Sequence, residues 1–106
     1  MSDVFILETA IPAEHPSLPG HFPGQPLVPG VVILDQVCQA LADFLPGCAL
    51  AGLASTKFVA PLLPGESFQI QLTLRADQCS VEFACRRGEQ RLAQGRLLLA
   101  AAIEAP

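Results

Sequence analysis

The stretch Gly20-His21-Phe22-Pro23-Gly24-Gln25-Pro26-Leu27-Val28-Pro29-Gly30, followed by Asp35 and Gln39, holds the side chains best suited to chemistry. His21 is the group most able to move protons near neutral pH. Asp35 can hold and deliver a proton, and Gln39, four residues further along a helix, reaches that carboxyl. A helix beginning after Gly30 leaves the N–H groups of Gly30 and Val31 without intrahelical acceptors, and they form a positive pocket for an oxygen. The prolines stiffen the loop that carries His21 and lower the entropy cost of fixing it. Each piece has a plainer reading. His21 alone would be an ordinary loop histidine, the structural or surface role expected of His15. The polar face around Asp35 could be a solvent face. The Pro/Gly stretch could be a linker, although Leu18, Phe22, Leu27 and Val28 argue for packing. The coincidence of all the pieces in one segment is what favours chemistry.

The elements that must position these groups follow from periodicity. Residues 3–11, DVFILETAI, are β-branched and apolar and predict a strand. Residues 12–30 hold six prolines and three glycines, which excludes regular structure there. Residues 31–45 contain neither Gly nor Pro and predict a helix about 22 Å long, ended by Pro46-Gly47. Residues 50–59 read as a second strand. Phe68, Ile70, Leu72 and Leu74 then alternate with polar residues, which marks a half-buried strand. Asp77-Gln78 predicts a turn, Cys79, Val81, Phe83 and Cys85 the next apolar face, Arg87-Gly88-Glu89 a hairpin turn, and residues 90–103 a long last strand. On the helix, Asp35, Gln36, Gln39 and Asp43 fall within one arc of about 100°, leaving about 260° apolar. Such a helix calls for a sheet wrapped around it. The fold class expected is α+β, with a curved antiparallel sheet around one long central helix, the hot-dog architecture, as one domain over residues 1–106.

Composition narrows the partners. The chain has 106 residues, 51% of them hydrophobic, too apolar for disorder and too short for two domains. A chain of this size buries only about two-thirds of its unfolded surface, so a partner subunit would help. With six basic and ten acidic residues the net charge is -4, which argues against nucleic acid. The start, MSDVFILETAIP, lacks a basic n-region, and no apolar run approaches the roughly 20 residues of a membrane span, so a cytoplasmic chain is expected. Cys38, Cys48, Cys79 and Cys85 form no CxxC pair, which argues against structural zinc, and they read as small, buried, reduced thiols.

The segment HFPGQPLVPGVVILDQVCQ resembles the active-site segment of bacterial 3-hydroxyacyl-acyl-carrier-protein dehydratases of the FabA/FabZ type. Their pattern, His-Phe-x-Gly-x-Pro-x-x-Pro-Gly followed by an acid and a Gln, is met by His21, Phe22, Gly24, Pro26, Pro29, Gly30, Asp35 and Gln39. Lys57-Phe58-Val59-Ala60-Pro61-Leu62-Leu63-Pro64-Gly65-Glu66 is similar to a later strand and turn of that family. Asp35 resembles the FabA-type branch, where the FabZ-type has Glu, while the flanks look more like the FabZ-type. Val59 stands where an arginine is common.

The resemblance implies a dehydratase acting on 3-hydroxyacyl thioesters, with His21 and Asp35 catalytic and Gly30, Val31 and Gln39 positioning. It implies no metal or organic cofactor, and a homodimer whose sites take His21 from one subunit and Asp35 from the other. The expected substrate is carried by an acyl carrier protein or coenzyme A. Lys57, Arg86, Arg87 and Arg91 are the basic candidates for contacting an acidic carrier protein. The alternatives are a hot-dog acyl thioesterase and a non-catalytic subunit that binds the carrier.

Overall fold

The computed structural model describes residues 4–11, 28–76 and 79–100. The loop carrying His21 and His15, the Asp77-Gln78 turn and the end of the expected last strand lie outside the described residues. The element order is β1 (Val4–Ala10), α1 (Gly30–Phe44), β2 (Leu50–Phe58), β3 (Ser67–Leu74), β4 (Ser80–Arg87) and β5 (Gln90–Leu99). The five strands form one sheet in the order β1-β3-β4-β5-β2, every neighbouring pair antiparallel. The bounds of β1 to β4 differ from the sequence expectation by one or two residues, while β5 ends at Leu99 where residues 90–103 were expected, of which 101–103 lie outside the described residues. The helix begins at Gly30, one residue early.

Alternation decides the faces. Phe68, Ile70 and Leu72 of β3, Val81, Phe83 and Cys85 of β4, and Leu92, Ala93 and Leu97 of β5 are buried with Val32, Ile33, Val37, Ala40 and Leu41 of α1 in one core. The register Ile70↔Cys85 and Leu72↔Phe83 puts apolar partners side by side across β3 and β4. Gly95 faces Phe83 across β4 and β5, and a Cβ there would lie 2.7 Å from the Phe83 ring, so that ring needs the glycine. At this point β2 is bulged between Ala54 and Lys57, and Ser55 takes a φ of 57°.

Two turns close the structure as composition suggests. After α1 the Leu45 amide donates to the Leu41 carbonyl at 2.8 Å, and Gly47 takes a φ of 84°. The β4–β5 hairpin is tighter than expected: Arg87 pairs with Gln90, so the turn is Gly88-Glu89, with Gly88 at a φ of 61°.

The sheet packs on the helix as expected, but within one protomer it covers less of the helix than the apolar arc. Val31 is 70% exposed, Ala42 is exposed, and Leu34 and Cys38 are half-buried. One sheet touches a cylinder on one side only, so the remaining apolar flank is left for something else. Another expectation is corrected at the cysteines. Cys85 is buried, and burial pushes its thiol up to about 12. Cys79, however, is exposed, while Cys38 and Cys48 are half-buried.

Candidate active site

The first turn of α1 is open at its N-terminus. Pro29 is the N-cap, with no side-chain cap, and the turn holds no acidic residue. Pro29 lacks a side chain that could accept a hydrogen bond, while its carbonyl accepts from the Val32 amide at 3.0 Å. The Gly30 and Val31 amides have no acceptor among the described residues, as expected for the first residues of a helix. They stand where the helix dipole is positive and can stabilise a developing oxyanion.

Val31, Asp35 and Gln39 follow at intervals of four and share one face of α1. All three are exposed. The Gln39 amide donates to Asp35 Oδ2 at 2.9 Å, which fixes the carboxylate one turn below the open amides. Cys38 lies beside this face, and burial together with the nearby Asp35 carboxylate holds its thiol above the ordinary range. It is therefore a poor nucleophile. His21 lies outside the described residues.

The side chains around the helix start were not legible as site residues. An open apolar hollow of about 470 Å³ is lined by Val28, Pro29, Gly30 and Ile33 on one side and by Phe58 to Leu62 on the other. The Phe58 ring lies over Gly30: a Cβ at residue 30 would come within 2.7 Å of it. The motif Gly signals a helix start, but only the fold shows that an aromatic ring needs its bare Cα. Val28 is tied to the far wall by its amide, which donates to the Leu62 carbonyl at 2.9 Å.

That wall is held by a clasp. Glu66 accepts from the Leu63 amide at 2.9 Å and from Arg87 at 2.7 Å, and Arg87 also donates to the Pro61 carbonyl at 3.2 Å. The Leu63 amide has the largest influence and holds the Glu66 carboxyl below the ordinary carboxylate range; burial opposes it, and the Arg87 guanidinium adds to the lowering. Arg87 was expected among the carrier-facing cations. It is instead committed within the protomer to Glu66, Pro61 and Gln90, and its charge is offset there. Lys57, Arg86 and Arg91 meet no carboxylate among the described residues.

The ApeI-like family model, that of ApeI dehydratase, matches residues 2–96, and the chain belongs to this family. Among curated proteins it is similar to the 3-hydroxyacyl-[acyl-carrier-protein] dehydratase FabZ of Haemophilus influenzae, 35% identical over 71 residues, which cover 58% of this chain and 48% of that one. The FabZ of Thermus thermophilus is 37% identical over 70 residues, 58% of this chain and 49% of the relative. The chain thus spans about half the length of the curated relatives it matches. Among solved structures, the dehydratase heterocomplex ApeI:P from Xenorhabdus doucetiae superposes with a TM-score of 0.84 at 24% identity, covering 95% of this chain and 90% of that one. An (R)-hydratase from A. caviae superposes at 0.70 with 18% identity, over 92% and 93%. The shared architecture is the α+β hot-dog fold expected from the helix pattern. No helix among the described residues is long and apolar enough to cross a membrane.

Proposed function

We propose that this chain is a single-domain hydro-lyase that converts 3-hydroxyacyl thioesters to trans-2-enoyl thioesters, the acyl group being carried by an acyl carrier protein or coenzyme A. The observation that carries the reading is the arrangement on α1: a carboxylate held at 2.9 Å by Gln39, one turn below two open amides, beside an apolar hollow. His21 removes the proton from the carbon next to the thioester carbonyl. The electron pair moves onto the carbonyl oxygen, which the Gly30 and Val31 amides receive. The pair then returns to form the double bond as the carbon–oxygen bond to the 3-hydroxyl breaks, and Asp35, entering the step as the protonated carboxylic acid, gives its proton to the departing oxygen to form water. The thioester itself acidifies the proton removed, so the reaction as proposed needs no metal or organic cofactor. The two FabZ relatives are named for this chemistry on carrier-linked substrates, which supports the reading.

The site is proposed to be shared in a homodimer. β2 lies at one edge of the sheet, and Leu50, Leu53 and Phe58 on it are exposed, as is Val31 on the helix. An edge strand with that much apolar surface favours pairing with a second copy. Pure protein given 3-hydroxyacyl, 2-enoyl and saturated thioesters should dehydrate the first, hydrate the second and leave the third intact. Hydrolysis of all three would make it a thioesterase, and inertness a binding subunit. Refolding His21→Ala and Asp35→Asn chains together in equal amounts should restore about a quarter of wild-type activity, since about half the dimers then carry one intact site. No recovery with mixed dimers present would show that each site lies within one subunit.

A further inference from the structure

The outer face of the sheet, away from α1, carries a feature that the proposed reaction does not use. The register sets Glu8, Gln69, Arg86 and Arg91 in one row across β1, β3, β4 and β5. A register shift between Cys85 and Arg86 places Arg86 directly opposite Arg91. Like charges facing each other across a ladder are unfavourable. The other arginines of the described sheet have carboxylate partners: Arg75 and Arg96 share Glu82, and Arg87 holds Glu66. Arg86 and Arg91 have none among the described residues, in a chain whose net charge is -4. Arg91 donates to Gln94 Oε1 at 2.5 Å, which turns that guanidinium toward the middle of the face. Both arginines line a shallow polar hollow of about 370 Å³ with Gln71 and Gln94; Glu82 and Arg96 also line it, and the Glu82 carboxylate is engaged there by Arg75 at 2.7 Å and Arg96 at 3.9 Å. Two adjacent guanidiniums with amide donors beside them match one anion with several oxygens, which a phosphate provides and a single carboxylate does not.

Val59 and Ala60, on the rim of the apolar hollow at the helix start, donate to the Leu92 carbonyl at 2.8 and 3.3 Å. Arg91 is the next residue along β5. The anion hollow therefore begins one residue from the rim of the candidate active site, on the other face of the same strand. We propose that Arg86 and Arg91 seat the phosphate of a phosphopantetheine arm whose acyl thioester lies in the apolar hollow. The inference rests on the proposed thioester chemistry for its substrate, but not for its measurement. The phosphate could belong to coenzyme A or to an arm attached to a carrier protein.

The test compares one 3-hydroxyacyl group carried on pantetheine and on phosphopantetheine. The wild-type KM should be about tenfold lower for the phosphorylated thioester, the scale of a charge-assisted contact. In the Arg86→Gln/Arg91→Gln double variant the two KM values should converge, while Arg75→Gln, whose arginine is already paired, should keep the difference. A wild-type KM indifferent to the phosphate, or a difference that survives in the double variant, overturns the seat. Binding of free phosphopantetheine and free pantetheine, followed by NMR, gives the same comparison without turnover. If neither thioester reacts but the phosphate still gives arginine-dependent binding, the dehydration reading fails and the seat stands. Equal affinities sink the seat whatever the activity. With the seat present, coenzyme A and carrier-protein thioesters tested side by side identify the source, as the one whose KM rises more in the double variant.

Discussion

The two faces of α1 divide the work of this small domain. Ile33, Val37, Ala40 and Leu41 face the sheet and are buried, while Val31, Asp35 and Gln39 face away and are exposed. The buried face has no polar group to satisfy and gains by excluding water. The exposed face keeps an apolar residue and a hydrogen-bonded carboxylate in view, which is a poor arrangement for stability alone and a useful one for a substrate. On the proposed reaction, stability and chemistry are separated by half a turn of one helix, and substitutions should separate them too.

The largest effect is expected on the buried face. Leu41→Ala should cost about 2–5 kcal/mol of folding stability, read from urea unfolding, with turnover per folded molecule nearly retained. Equal losses of stability and of rate per folded molecule would erase the distinction between the faces. On the other face, Asp35→Asn should slow dehydration about 100-fold or more with an unchanged unfolding midpoint. Turnover near wild type would remove Asp35 from the mechanism. Gly30→Ala tests the junction, because its methyl group must displace the Phe58 ring, which is itself 48% exposed and able to yield. We expect about a tenfold loss of kcat/KM with a smaller change in stability, since the displaced Phe58 ring walls the hollow and is not one of the buried core residues. A purely structural glycine would give the opposite ratio.

The smallest effect concerns the clasp that supports the hollow. The Glu66 carboxyl is held below its ordinary value of 4.5 in the folded chain. Its contribution is therefore present above the ordinary value and is lost as the pH falls through the lowered folded value. Glu66→Gln should be less stable than wild type near neutral pH, and the two should converge in acid. A difference in urea midpoint that stays constant from about pH 7 to about pH 3 would show that the ionised clasp is not its source.

The helix, the strand periods and the helix-borne groups were legible because they depend on neighbours within a few residues. Gln39 reaches Asp35 in any regular helix, and Phe68, Ile70 and Leu72 share a face in any extended strand. The open amides at Gly30 and Val31 follow from where the helix must start. Charge pairing was another matter. Arg86 and Arg87 are adjacent in sequence and looked equivalent as carrier contacts. Successive strand residues point to opposite sides, and Arg87 meets Glu66, far from it in sequence, while Arg86 meets another arginine. That difference was fixed by a register shift in the β4–β5 ladder, which no local pattern announces.

The sequence by itself determined the element order, the apolar faces of β3 and β4, and the helix face bearing Asp35 and Gln39, because periodicity and residue chemistry act locally. Only the tertiary structure decided how much of the helix is covered, which ring lies on Gly30, and which cations remain without a carboxylate. Those outcomes depend on contacts between residues distant in the chain, and strand register together with the one-sided packing of a sheet on a helix selects them.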